Sequence, residues 1–106
     1  MTLIETSIFS QIIKKLMNDD EYRNLQIALV QNPQTGKLIP GGGGLRKIRW
    51  TSVERQKGKR SGIRVIYYIQ SMSCLYMIFA YDKNRQKDLT REQLKALRAY
   101  VKGEVL

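Results

Sequence analysis

Eight cations fall within nineteen positions, Arg46, Lys47, Arg49, Arg55, Lys57, Lys59, Arg60 and Arg64, and Glu54 is the one acid among them. Side chains of this kind bind polyanions and stabilise negative charge that builds up on phosphorus. Arg64 is the most informative of the eight. It is flanked by Ile63, Val65 and Ile66, and a guanidinium in apolar surroundings is too costly to leave without a partner. The sequence therefore predicts either a buried ion pair at Arg64 or a site that awaits an anion. The chain has no histidine, which removes a histidine base, a histidine metal ligand and a Ser/His/Asp triad. Beyond residue 36 the only acids are Glu54, Asp82, Asp88, Glu92 and Glu104, without the paired spacing that a two-metal nuclease needs. If such a protein cuts a phosphodiester, Lys, Arg and Tyr must do it. They can stabilise a pentacovalent phosphorane, and a lysine crowded by other cations has its pKa lowered toward use as a base.

The whole chain carries the same signature. Nineteen Lys and Arg stand against nine Asp and Glu, a formal charge of +10 with a pI near 10.0, and a polyanionic partner is the first inference. The excess is uneven: residues 1–36 hold Lys14, Lys15 and Arg23 against Glu5, Asp19, Asp20 and Glu21, so the basic surface belongs to the remainder. At 106 residues the chain is expected to form one domain, residues 1–106, around one core. Cys74 is the only cysteine; its apolar neighbours predict a buried thiol, and the lack of a possible intrachain disulfide fits a reducing cytoplasm. No basic n-region opens the chain and no apolar run approaches the roughly 20 residues that span a bilayer, so no membrane partner is expected.

These residues need elements to hold them. TLIET reads as a first strand. Ser7 is a candidate cap for a helix whose Phe9, Ile12, Ile13, Leu16 and Met17 recur at helical spacing. Asn18 and Glu21 form a capping-box pattern for a second helix, with Tyr22, Leu25, Ala28 and Leu29 on one face until Asn32 and Pro33 end it. Past Pro40 and the glycines at 41–44 come three strands, LRKIRW, SGIRVIYYIQ and CLYMIFAY, the last two apolar on both faces and so central. Ser71 and Met72 leave room for a tight hairpin. Thr90 and Gln93 make a second capping box, Leu89 and Leu94 a hydrophobic staple, and Leu97 and Val101 extend the stripe to Gly103. The expected order is β α α β β β α. The strand period of two puts Lys47 and Arg49 on one face and Ile48 and Trp50 on the other.

The join of LRKIRW, GKRSGIRVIYY and YDKNRQKDLT, followed by a capped helix ending LKALRAYV, resembles the RelE superfamily of bacterial toxins. Within it the chain is most similar to the HigB branch of type II toxin-antitoxin systems, over about residues 40–100. The resemblance implies a small α/β (α+β) domain, with two N-terminal helices on a mostly antiparallel sheet and a C-terminal helix. It implies a metal-independent and cofactor-free endoribonuclease, an mRNA interferase that cleaves mRNA in the ribosomal A site and inhibits translation. The partners implied are the ribosome, mRNA and a cognate antitoxin with a helix-turn-helix domain. The superfamily's catalytic arginine, in its G-x-R-V/L-x-Y strand, falls on Arg64. Its basic pair falls on Lys47 and Arg49 if TSVERQKGKR is an inserted loop, or on Arg55 and Lys57 if the spacing to the glycine is kept; the strand-forming character of KIR favours the first. The cation past the last strand falls on Lys83 or Arg85, with Tyr81 nearby to stack on a base. A C-terminal tyrosine of RelE is not reproduced at its spacing, which leaves the proton-transfer residue unassigned.

Arg46, Arg55, Lys57, Lys59, Arg60 and Arg85 are expected to contact RNA phosphates around that centre. Plainer roles are expected elsewhere: core packing for Tyr67 and Trp50, and a solvated helix face for Lys95, Arg98 and Lys102. The glycine run either lets the turn approach an RNA backbone or shift beside a docking strand, or is a flexible turn without contacts. Two rival classes share parts of this pattern, a non-catalytic nucleic-acid-binding module and a ParE-like toxin that poisons gyrase.

Overall fold

Two segments that are apolar on both faces fix the middle of the molecule: β4, Ile63–Ser71, and β5, Cys74–Asp82, pair antiparallel and have neighbours on either side. On the far side of β4 lies β3, Leu45–Trp50, antiparallel, and beyond it the two-residue strand β2, Lys37–Leu38. On the far side of β5 lies β1, Thr2–Glu5, the one parallel neighbour. The sheet order is β1-β5-β4-β3-β2. The computed structural model describes residues 1–51 and 62–106; Arg55, Lys57, Lys59 and Arg60, and with them the alternative placing of the basic pair on Arg55 and Lys57, lie outside the described residues.

Helices α1, Ser7–Leu16, and α2, Asp19–Gln31, cover one face of the sheet, and α3, Arg91–Tyr100, lies on the other. On the first face Phe9, Ile13, Leu25 and Leu29 pack with Ile48, Ile63, Val65, Leu75 and Met77, each such burial stabilising the fold by about 1.5–3 kcal/mol. On the second face Leu94 and Leu97 of α3, with Val101 and Val105 beyond it, pack with Leu45, Ile66 and Ile78. The α+β architecture expected from the sequence is what forms, with two N-terminal helices, a mostly antiparallel five-stranded sheet and a C-terminal helix. No described helix is long and apolar enough to cross a membrane.

Both predicted capping boxes are present: Asn18 with Glu21, and Thr90 with Gln93. The cap of α1 is Thr6 and not Ser7, since the Thr6 hydroxyl accepts from the Phe9 amide at 3.0 Å. Ser71 still pairs with Cys74, so the hairpin loop is Met72 and Ser73, one residue later than expected. Gly103 does not end the last helix, which runs on as a π-helical turn over Val101–Val105. Strand β2 was not anticipated, because two residues carry no readable period. Cys74 is only half-buried, not buried as its apolar neighbours suggest, because it stands at the first position of β5 beside the hairpin loop. Tyr67 is core as expected, its hydroxyl donating to the Pro33 carbonyl at 2.6 Å and accepting from the Gly36 amide at 2.8 Å. Trp50 packs against the same core.

One irregularity decides what the second face presents. Ile66 pairs with Phe79 but Tyr67 pairs with Met77, so Ile78 is an extra residue in β5. Leu75 and Met77 point into the α1–α2 core, and regular alternation would send Tyr81 the same way. The bulge shifts the parity, so that Ala80 faces that core and Tyr81 faces the opposite side. The Ile78 carbonyl accepts from the Thr6 hydroxyl at 2.9 Å, which ties the bulge to the start of α1.

Candidate functional site

Helix α3 covers the end of its sheet face that carries Leu45, Ile66 and Tyr68. At the other end of the same face three side chains stand in register across three strands: Arg49 of β3 opposite Arg64 of β4, and Arg64 opposite Tyr81 of β5. Lys47 stands on that face one step along β3, two residues from Arg49. The sheet thus gathers Lys47, Arg49, Arg64 and Tyr81, all four called from the sequence, onto one surface.

Arg64 is buried to 7% exposure and forms no hydrogen bond or ion pair among the described residues. Of the two readings open at the start, the buried ion pair finds no carboxylate within pairing distance among the described residues, and Asp88 acts on Arg64 only from farther off. Burial, and then the neighbouring Arg49 guanidinium, hold its pKa below the ordinary arginine value, yet an arginine remains charged at any working pH. A cation pressed against another cation and short of solvent is able to take an anion as its partner. Gly62 makes room for it: a Cβ there would stand 2.9 Å from Arg64 Nη1 and 3.5 Å from Thr51 Oγ1. The glycine two residues before the arginine therefore has a steric reason.

Asp88, in the loop between β5 and α3, reads in the sequence only as a scattered acid. Its Oδ1 accepts from the Leu89 amide at 2.8 Å, from Lys47 Nζ at 3.3 Å and from the Tyr81 hydroxyl at 3.3 Å. The Leu89 amide, more than Lys47 and Tyr81, holds its carboxyl below the ordinary aspartate range. Tyr81 responds in the other direction, its pKa pushed up from 10.0 to about 12 by burial and then by the Asp88 charge. The phenol is therefore protonated at neutral pH and directs its hydrogen to Asp88. No local signal marks Asp88; its only clue is its place two residues before the Thr90 cap.

Lys83 and Arg85 lie in the exposed turn after β5. The Lys83 amide donates to the Gly62 carbonyl at 3.0 Å and so stays beside the Arg64 strand; the Arg85 amide closes the turn on the Asp82 carbonyl at 3.0 Å. Arg46 is placed differently from its expected partners. Paired with Tyr67 it faces away from Arg64, and its Nη1 donates to the Gly36 carbonyl at 2.6 Å and the Gln34 carbonyl at 3.3 Å. Those bonds tie the loop after α2 to β3. The glycine run also has a shape of its own. Gly41, Gly43 and Gly44 take φ of 70°, 64° and 101°, and a Cβ on Gly44 would fall 2.7 Å from the Tyr68 ring, so this turn needs glycine for its own path.

The assembled group offers two guanidiniums and an ammonium to a phosphate, and a neutral phenol beside them. No family model matches the chain.

Proposed function

We propose that this chain is the toxin of a type II toxin-antitoxin pair, a ribosome-dependent endoribonuclease that cuts mRNA in the A site. The observation that carries the proposal is Arg64: buried, without an acceptor among the described residues, and in register with Arg49 and Tyr81. The sequence resemblance to the HigB branch supports the choice of RNA on the ribosome as substrate, and the charge of +10 supports a polyanion.

In this reading the RNA 2′-hydroxyl attacks its own 3′-phosphate. Its proton leaves as the O2′–P bond forms, the P–O5′ bond breaks, and the departing 5′-oxygen takes up a proton, giving a 2′,3′-cyclic phosphate and a 5′-hydroxyl. Arg64 and Arg49 stabilise the extra charge on the phosphorane, and Lys47 adds a third cation. Tyr81 is only 5% exposed and packs in the second core beside Phe79, so the base-stacking role expected of its ring does not fit, and its hydroxyl on Asp88 is what it brings to the site. A site of this kind does little to bend free RNA, so the ribosome must present the substrate in line.

The test is cleavage of one mRNA, free and on programmed ribosomes. Cutting only on the ribosome, with a cyclic phosphate end and no cutting at an all-deoxy target position, is the expected result. Equal cutting of free RNA removes the ribosome from the reading. Binding without cutting by the wild-type chain favours the non-catalytic module instead. The cognate antitoxin that the resemblance implies would be sought in the neighbouring reading frame.

A further inference from the structure

We infer that Asp88 is a positioning residue of this site, holding the Lys47 ammonium and the Tyr81 hydroxyl beside Arg64; the inference rests on the nuclease reading above. An aspartate is the wrong charge for a surface that receives a phosphate, because it repels the ligand. Its presence among Lys47, Arg49, Arg64 and Tyr81 therefore calls for a role other than binding. The geometry supplies one. The Leu89 amide, 2.8 Å away, fixes Oδ1 from the backbone of the residue next to the Thr90 cap, so the carboxylate is anchored to the start of α3. From that anchor the same oxygen reaches Lys47 Nζ on β3 and the Tyr81 hydroxyl on β5, each at 3.3 Å.

Both of those side chains need holding. Lys47 is a long, flexible chain two residues from Arg49 on the same face, and the two guanidiniums repel it from the place where a phosphate would sit. Asp88 offsets that repulsion. Tyr81 can rotate its hydroxyl hydrogen, and Asp88, by accepting it, fixes the orientation of that hydroxyl. The carboxylate thus orients one cation and one phenol without touching the reacting atoms.

Binding and chemistry should then respond in opposite directions. Removing the negative charge relieves repulsion and leaves RNA binding unchanged or tighter, whereas misplaced groups slow the chemical step, by ~10-fold to ~100-fold. The experiment compares Asp88→Ala, Asp88→Asn and wild type on programmed ribosomes, measuring kcat, KM and Tm. The expected result is a kcat lowered by ~10-fold or more in Asp88→Ala with KM unchanged or lower. Asp88→Asn should fall between, since an amide oxygen still accepts from Leu89 and Tyr81 but no longer pairs with Lys47. Wild-type kcat in Asp88→Ala overturns the inference while leaving the nuclease reading standing. So does a loss of activity that tracks a fall in Tm equally in both variants, which would make Asp88 a fold residue. No cutting by wild type removes the nuclease reading and the inference with it.

Discussion

At the scale of single residues the decisive quantity is how little Arg64 has to lose structurally. It makes no ion pair or hydrogen bond among the described residues, so truncating it orphans no described carboxylate and should change stability by about 1 kcal/mol. On the proposed function Arg64→Ala should nonetheless remove growth arrest and lower kcat by the equivalent of about 3 kcal/mol or more. Arg64→Lys should recover little, since lysine offers one point charge in place of a planar fork. Retained toxicity in Arg64→Ala, scored by colony formation after induction, would place the chemistry elsewhere. Tyr81 gives a second expectation. Its folded pKa is raised from 10.0 to about 12, so the native state favours the protonated phenol. The resulting stability is complete below pH 10 and lost as pH rises toward 12. Tyr22 and Tyr67 shift in the same direction, so urea unfolding should weaken across that interval, and Tyr81→Phe should soften the decline without abolishing it.

At the scale of elements, the bulge in β5 does what no single side chain can. By turning the strand at Ile78 it moves Tyr81 from the α1–α2 core to the face of Arg64. Thr6 joins that bulge to the first helix: its hydroxyl donates to the Ile78 carbonyl and accepts from the Phe9 amide, while its own amide donates to the Met77 carbonyl at 3.1 Å. Thr6→Val keeps the shape and removes both hydroxyl bonds, which should cost about 1–3 kcal/mol. Because it loosens the bulge, it should also lower activity more than an equally destabilising change at the cap of α2, such as Asn18→Ala. Equal activity loss at equal stability loss would separate Thr6 from the site. The turn before β3 behaves as a second such device: Gly44, at φ 101° and against the Tyr68 ring, should tolerate alanine poorly, with a Tm lowered by the equivalent of ~1–3 kcal/mol.

At the scale of the whole molecule, the sheet divides the protein into a face closed by two helices and a face that, among the described elements, α3 covers at one end, with the Arg49–Arg64–Tyr81 end as the candidate contact for a polyanion. With 19 cations against 9 acids, binding to single-stranded RNA should be dominated by counterion release. For about six phosphate contacts the affinity should fall by roughly 10²–10³-fold between 50 and 200 mM salt, measurable by fluorescence anisotropy. Arg64→Ala should reduce that slope by about one contact, while Arg46→Ala, whose guanidinium is spent on the Gly36 and Gln34 carbonyls, should leave it unchanged and lower Tm instead. A salt-independent affinity would contradict the electrostatic account.

Much of this was legible without coordinates, because it depends on local rules. Helical spacing and capping boxes mark α1, α2 and α3; doubly apolar runs mark β4 and β5 as central; and a lone arginine among branched aliphatics poses the choice between a buried ion pair and an anion site, since burial of an unpaired guanidinium is too expensive to be incidental. The period of two likewise put Lys47 and Arg49 together. What the sequence could not decide was anything that depends on register between strands. Tyr81 joins Arg64 only because one extra residue at Ile78 reverses the alternation, and a bulge has no period to read. Asp88 enters because the loop from β5 to α3 returns its carboxylate to β3, 41 residues back in the chain. Arg46 falls on the other face by the same period of two, but only the fold brings the Gly36 and Gln34 carbonyls to its guanidinium. Residue type and period determine which side chains can do the chemistry; pairing, bulge and loop closure decide which of them meet.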